Sequence, residues 1–417
     1  MADEPPPAAP PAWLNTPATR AVMSALEEAG GADCARFVGG CVRNTVLGRP
    51  IDDIDIATVL TPDQVISALD DAGLRSVPTG VEHGTVTAIS EGRPYEITTL
   101  RRDVSTDGRR AVVAFTHDWL EDARRRDFRL NALYMDAGGT IHDPLGHGVE
   151  DAKAGRIVFV GDPLTRIRED YLRILRFFRF QAWYGRGDPD PAAVSACKAL
   201  KGMLSGRSAE RTSKELLKLL AAEDPRSAAA LMHGAGVLAA ILPTAALDRF
   251  NALVGIERDK LYENDPELRL AALLPEDAAE VTRVAERLRL SNTQRDRLTA
   301  AVAREPRIVP WLRPREARRA VYRAGVRAFH DRVKLAWAAA DRPKLAGQWR
   351  KLLALGESWS APEFPLTGED AIAAGLAQGP LVGQALKEVE DWWVDEDFPT
   401  DRALALAQLD RVVLALG

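Results

Sequence analysis

Strand-forming sequence is confined to one end of this chain, and that confinement decides the fold class. From about Thr16 to Asp143 helical and strand patterns alternate; after about Val149 strand signals nearly vanish and helices dominate to the C-terminus. A helix is predicted over Ala18 to Ala29, leading into a strand that ends at Val38. A short helix over Val42 to Leu47 and a strand over Asp53 to Ala57 follow. Further strands are expected at Thr85 to Ser90, Tyr95 to Leu100 and Ala111 to Phe115, where β-branched residues concentrate. The class is α+β: a head with a mixed β-sheet and helices, then an all-α remainder. Residues 1–15, rich in proline, read as a disordered lead-in. Pro243, the polar stretch from Glu257 to Pro266 and the run from Ser360 to Pro365 mark candidate boundaries.

Two elements in the head carry chemistry. Gly39 and Gly40 lie between a strand and a short helix, so backbone N–H groups can approach an anion with no side chain in the way. Arg43 follows, able to add a charge-assisted hydrogen bond to phosphate. The later glycine and Lys-Ser/Thr pair of a Walker A loop are missing, as is a GxGxxG fingerprint. Asp53 and Asp55 then sit at i and i+2 in the next predicted strand and leave the same face. Paired carboxylates repel unless a cation sits between them, and hard oxygen ligands suit magnesium, which keeps water and phosphate as its other ligands. Glu96 is the candidate third carboxylate. Read alone, each element has a plain alternative, a solvated acidic turn or an ordinary strand-to-helix bend. Together they point to nucleotidyl transfer.

Composition permits this. The formal net charge of -5 argues against a surface that is basic throughout, though not against a local basic channel. Cys34, Cys41 and Cys197 lack zinc-ligand spacing and suit a reducing compartment. No apolar run approaches the ~20 residues that span a bilayer. The N-terminus lacks a hydrophobic signal core, so a cytoplasmic protein with no membrane partner is expected.

The ordered motifs resemble the tRNA nucleotidyltransferase / bacterial poly(A) polymerase superfamily, and the class II CCA-adding enzymes in particular. The resemblance rests on Gly39-Gly40-Cys41-Val42-Arg43-Asn44 and Asp53-Ile54-Asp55-Ile56-Ala57-Thr58. It continues through Tyr95 to Arg101, Asp103-Val104, Asp107-Gly108-Arg109, Arg125-Arg126-Asp127-Phe128 with Asn131-Ala132-Leu133, and Arg168 to Phe180. It implies a nucleotidyltransferase head over residues 16–150, a helical neck over 151–243, and a helical body and tail over 244–417 that contact tRNA. It implies template-independent addition of CCA from CTP and ATP, with Mg2+ at Asp53 and Asp55 and pyrophosphate released. Arg126, Asp127 and Asn131 would hold the incoming nucleotide, Asp127 accepting from a ribose hydroxyl. Asp170 and Arg173 would form a protein template reading the edges of cytosine and adenine, braced by Glu169, with Arg176 and Arg179 facing triphosphate or the RNA end.

Asp170 and Arg173 are expected to share a helical face at i and i+3. Phe177, Phe178 and Phe180 are expected in the core. The polar stretch from Arg102 to Arg110 reads as a loop between strands, which the resemblance associates with the switch from CTP to ATP. Asn44 stands where the family usually has Asp, and Arg129 where it commonly has Thr. The stretch from Arg313 to Lys334 is a basic helical region open to two readings, a tRNA-backbone contact or a solvated face. Trp311, Trp337, Trp349, Trp392 and Trp393 are assigned to packing. A poly(A) polymerase of the same superfamily and a non-catalytic tRNA-binding protein remain the alternatives.

Overall fold

The computed structural model describes residues 11–106, 111–204, 206, 208–258, 262–340 and 343–416. The chain divides into two compact units, Met1–Pro243 and Thr244–Gly417.

The first unit begins with α1 (Pro17–Gly30), capped by the Thr16 hydroxyl, which accepts from the Thr19 N–H. There follow β1 (Ala35–Val38), α2 (Gly40–Val46), β2 (Ile54–Thr58), α3 (Pro62–Asp71), β3 (Arg75–Gly80), β4 (Thr85–Ser90), β5 (Arg93–Thr99), β6 (Arg101–Thr106) and β7 (Ala111–Phe115). Then come α4 (Trp119–Arg124), β8 (Tyr134–Met135), β9 (Ile141–His142) and α5 (Gly148–Ala154). The main sheet has seven strands in the order β3-β4-β5-β2-β1-β8-β9. Only β2 and β5 run parallel; every other neighbouring pair is antiparallel.

The two faces of this sheet differ, as the period-2 alternation of strands requires. Phe37, Ile54, Ile56, Val86, Ala88, Tyr95 and Ile97 pack on one face against Val22 and Leu26 of α1 and Val65 and Leu69 of α3. The expected disordered lead-in over residues 1–15 does not hold at its end: Ala12–Asn15 is a 3-10 turn with Leu14 buried, and Trp13 meets Phe37 edge-on at 4.8 Å between ring centroids. Within this core the Tyr95 hydroxyl has a polar partner, Thr19 Oγ1 at 3.0 Å. The opposite face carries Val38 and Ala57, which pack with Leu100, Ala123, Ala132 and Tyr134. It also carries Asp55 and Glu96.

Several sequence expectations shift. The second strand starts at Ile54, so Asp53 lies one residue ahead of it. The α3–β3 segment was not anticipated. Its helix has a clear start signal, a Thr61/Gln64 capping box with Pro62 in the first turn. β3 is a largely exposed edge strand containing Pro78, so it lacks an apolar alternation to read. Much of the expected 102–110 loop is strand: β6 pairs with β7 as a separate two-stranded ribbon. Asp107, Gly108, Arg109 and Arg110 lie outside the described residues.

No strand follows β9 among the described residues. The first unit continues through α6 (Pro163–Glu169), α7 (Arg173–Tyr184), α8 (Pro191–Leu200), α9 (Ala209–Leu220), α10 (Arg226–Gly234) and α11 (Val237–Ile241). Phe177, Phe178 and Phe180 are buried, Phe177 with Phe128 and Phe159 as ring neighbours and Phe180 with Phe128.

The second unit is helical. The stretch from Glu257 to Pro266 falls inside it rather than at an edge, because Glu257 and Arg269 form an ion pair at 2.6 Å with both side chains fully buried. Trp337, Trp349 and Trp393 are core residues, whereas Trp311 is 67% exposed. The basic stretch lies on helices Pro314–Ala324 and Val326–Ala340. Four of its arginines are tied to partners further along the chain, whereas Arg313 and Arg327 are exposed. Arg318 pairs with Asp397, Arg319 with Asp395 at 2.7 Å and Arg323 with Asp391 at 3.1 Å. Arg315 donates to the Asp395 carbonyl, and Lys334 sits 4.7 Å from the Tyr262 ring. Arg315, Arg318, Arg319 and Arg323 hold helix Pro314–Ala324 to the end of helix Pro380–Asp395 and to Asp397 just beyond it.

The buried pair generates a stability test. Glu257→Leu strands the Arg269 charge and is expected to cost about 3–5 kcal/mol, whereas Glu257→Leu with Arg269→Met recovers most of the loss. Chemical denaturation of the three proteins measures both.

Candidate active site

The site begins where β1 ends. Gly39 adopts φ 71°, a backbone region that L side chains rarely enter, and its N–H donates to the Leu133 carbonyl at 3.2 Å. A side chain there would meet Arg126 Nη1, 3.8 Å from an ideal Cβ. Antiparallel pairing sets Val38 opposite Asp55, and parallel pairing sets Asp55 beside Glu96. The turn and both carboxylates therefore lie in one row across three strands. Asp53 is exposed at the mouth of this row.

Electrostatics follow from the crowding. Burial, then the neighbouring Glu96 and Asp53, push the Asp55 carboxyl up to about 6, against the opposing pull of Arg126. A cation at this point would relieve the repulsion, and carboxylate oxygens are the donors a hard divalent ion takes. Among the described residues no three His, Cys, Asp or Glu side chains close a metal cage by themselves.

Arg126 is fixed by Asp122. The Asp122 carboxylate accepts from Arg126 Nη2 at 2.9 Å, from Arg125 Nε at 2.7 Å and from the Tyr134 hydroxyl at 2.7 Å. Burial works against this carboxylate, but Arg126, Arg125 and Tyr134 outweigh it and hold it at about 2. With Nε and Nη2 occupied, Arg126 keeps Nη1 beside the Gly39 turn.

A second network joins Arg43, Asn131, Asp127 and Arg176. Arg43 Nη1 donates to Asn131 Oδ1 at 2.6 Å, and Asn131 Nδ2 donates to Asp127 Oδ1 at 3.0 Å. Arg176 Nε donates to Asp127 Oδ2 at 2.8 Å, and the Phe128 N–H to Oδ1 at 2.8 Å. Despite burial, Arg176, Asn131 and that N–H hold the Asp127 carboxylate at about 2. Arg43 is less free than its sequence position suggested. It is buried, stacks 4.1 Å from the Tyr184 ring centroid, and donates to the Tyr184 hydroxyl at 2.7 Å. Asn44 Oδ1 accepts from Arg43 Nη2 at 2.9 Å while its amide donates to the Pro50 carbonyl, so this position acts on Arg43.

The expected single helix through Asp170 and Arg173 is broken. α6 ends at Glu169, Asp170 is extended at φ −149°, and α7 starts at Arg173. Asp170 Oδ1 accepts the Leu172 N–H at 3.1 Å, and Oδ2 pairs with Arg211 of α9 at 2.7 Å. A short polar side chain satisfying the next turn's backbone is what stops the helix. Glu169 braces Arg173 at 2.6 Å and also pairs with Arg166. Arg179 is held by Glu215 at 2.6 Å. Arg129 faces another way, its guanidinium 3.8 Å from buried Asp151.

Sequence reading missed Asp122, Tyr134, Tyr184, Arg211 and Glu215. Asp122 alone left a trace, four residues before Arg126 on a short helix, where i,i+4 pairs meet. The others reach the site only through tertiary packing.

A glycine turn set against strand-borne acids, on a small mixed sheet backed by helices, defines a nucleotidyltransferase class of site. Residues 35–158 match the family described as the poly A polymerase head domain, and residues 188–248 match the probable RNA and SrmB-binding site of polymerase A. The mitochondrial CCA tRNA nucleotidyltransferase 1 of Mus musculus is 33% identical over 396 residues, covering 90% of this chain and 86% of that protein. The CCA-adding enzyme of Limosilactobacillus fermentum is 34% identical over 400 residues, covering 91% and 94%. The Bacillus stearothermophilus CCA-adding enzyme, solved in complex with CTP, superimposes with a TM-score of 0.77 at 27% identity, covering 96% of this chain and 99% of that one. This chain belongs to the CCA-adding tRNA nucleotidyltransferase family.

The Asp55 shift has a sign that can be checked. A carboxyl whose folded pKa is raised from 3.8 to about 6 contributes stability below about pH 4 and loses it as pH rises through 6. Asp55→Asn is therefore expected to stabilise the ligand-free protein at pH 8 by about 1–2 kcal/mol, discounted for partial exposure, and to change little at pH 4. Denaturation midpoints at the two pH values measure the difference.

Proposed function

We infer that this chain adds C, C and A to the 3′ end of tRNA from CTP and ATP, releasing pyrophosphate. The observation that carries the reading is the row formed by the Gly39 turn, Asp55 and Glu96, with Asp53 at its mouth and Arg126 Nη1 beside the glycine. End-to-end similarity to CCA-adding enzymes supports it, as does the match of a solved relative bound to CTP.

In this reading Asp53 and Asp55 hold a divalent cation, magnesium by the hardness of the donors, with Glu96 as a third carboxylate at the row. When bound, that ion supplies charge neutralisation for the triphosphate and lowers the pKa of the attacking hydroxyl. The bare backbone of Gly39 and Gly40 leaves room for phosphate, and Arg126 Nη1 offers a donor toward it. Arg43 supports this floor through Asn131 and Tyr184.

In this reading Asp127 and Asn131 meet the incoming ribose. Asp127 meets a ribose hydroxyl by giving up a bond it now makes to Arg176 or Asn131. Asp170 and Arg173 read the base: carboxylate accepts from the amino group of cytosine or adenine, and guanidinium donates to the adjacent ring nitrogen. Uracil and guanine present a carbonyl and an N–H there, so both contacts turn repulsive. In this reading Arg176 and Arg179, tethered to Asp127 and Glu215, face triphosphate or the RNA end.

We assign the head to residues 16–150, the neck to 151–243 and the body and tail, with tRNA contacts, to 244–417. A reducing, cytoplasmic setting suits the three free, buried cysteines. Among the described residues no helix is long and apolar enough to cross a membrane.

Incubation with a tRNA transcript lacking CCA, plus CTP and ATP, is expected to extend the primer by C, C and A and stop. Long adenosine tails with no use of CTP would instead make the protein a poly(A) polymerase. Asp53→Ala with Asp55→Ala should reduce incorporation by on the order of a thousandfold or more. Asp170→Asn should leave binding of the tRNA intact while eroding discrimination against UTP by about 10- to 100-fold, read from single-nucleotide incorporation rates.

A further inference from the structure

Four arginines among the described residues are more than nine-tenths buried: Arg43, Arg166, Arg269 and Arg332. Arg166 and Arg269 are paired with carboxylates, Glu169 and Glu257. Arg43 and Arg332 have no carboxylate within ion-pair distance. Arg43 stands at the proposed nucleotide site, where an anion is to be received. Arg332 has the same signature inside the second unit.

Burying a guanidinium without a counter-ion is costly. Arg332 is 6% exposed; its Nη2 donates to the Pro306 carbonyl, and its Nε is sealed without a partner. Burial lowers its pKa, with only Glu305 acting in the opposite direction. Arg332 lines a cavity of about 550 Å³, within the range that holds small organic ligands. Val302, Ile308, Leu335, Leu345 and Trp349 give this cavity apolar walls, and Arg304 and Arg307 add positive charge. Trp311, 67% exposed, stands on its lining with a ring free to stack. Arg249 also lines it but is already neutralised by Glu276 at 2.9 Å. That leaves three arginines against Glu305.

We propose that this cavity is a second anion site, separate from the nucleotidyl-transfer site, that takes a flat ring bearing a phosphate. The ring would lie among the apolar walls and Trp311, and the phosphate would meet Arg332 and the neighbouring arginines. That chemistry is shared by a free nucleotide and by a nucleotide of bound RNA.

The test uses the full-length protein, titrated with AMP and with phenyl phosphate, following calorimetric stoichiometry and tryptophan fluorescence. Wild type is expected to bind phenyl phosphate and to show two classes of AMP site. Arg332→Gln should lose one of them while retaining incorporation of CMP and AMP into tRNA. Because a core substitution can unfold the protein, Arg307→Ser with Trp311→Ser provides an exposed alternative, expected to weaken phenyl phosphate by about tenfold or more. Displacement of phenyl phosphate by tRNA assigns the anion to RNA, and its retention assigns it to a free ligand; both sustain the site. Equal affinity and stoichiometry in wild type and both variants would overturn the proposal. Loss of tRNA extension with this binding intact would instead count against the nucleotidyl-transfer reading alone.

Discussion

Asp55 is a carboxylate placed where a carboxylate is costly, and much of the head is arranged around it. Its strand lies between one antiparallel and one parallel partner, which brings a glycine turn from one side and Glu96 from the other. The apolar face of the same strands packs on α1 and α3, so the row cannot tilt away from its neighbours without exposing Ile54, Ile56 and Ile97. The resulting repulsion is held by hydrophobic burial on the far side of the sheet. A carboxylate row under mutual repulsion is the kind of local conflict that functional sites carry.

Around this row, arginine is used less as free charge than as a positioned donor. Arg126, Arg173, Arg176 and Arg179 each have a carboxylate partner, respectively Asp122, Glu169, Asp127 and Glu215. Pairing fixes each planar fork and lowers the cost of its burial. The same economy explains why an acidic chain can contain so many arginines near phosphate chemistry.

What could be read from the sequence was local. The glycine pair, the Asp53 and Asp55 spacing and the run ending in Asp127 lie within short windows, and period-2 alternation placed most central strands. The break at Asp170 was hidden because helical periodicity continues across it, and only an Asx-type bond to Leu172 interrupts the backbone. The ties of Arg318 and Arg323 in the basic stretch were invisible for a different reason: their counter-ions are 68 to 79 residues further along the chain. The edge strand β3 escaped because exposed strands carry no burial pattern. Long-range partners such as Arg211 and Glu215 have no sequence signal without the fold.

The parallel pairing of β2 with β5 has a further consequence. A parallel neighbour cannot be reached by a hairpin, so α3, β3 and β4 intervene before Glu96 arrives beside Asp55. No fragment ending before β5 can set Glu96 beside Asp55. The Asp55–Glu96 pairing is therefore a non-local contact, one of the topologically demanding steps of folding.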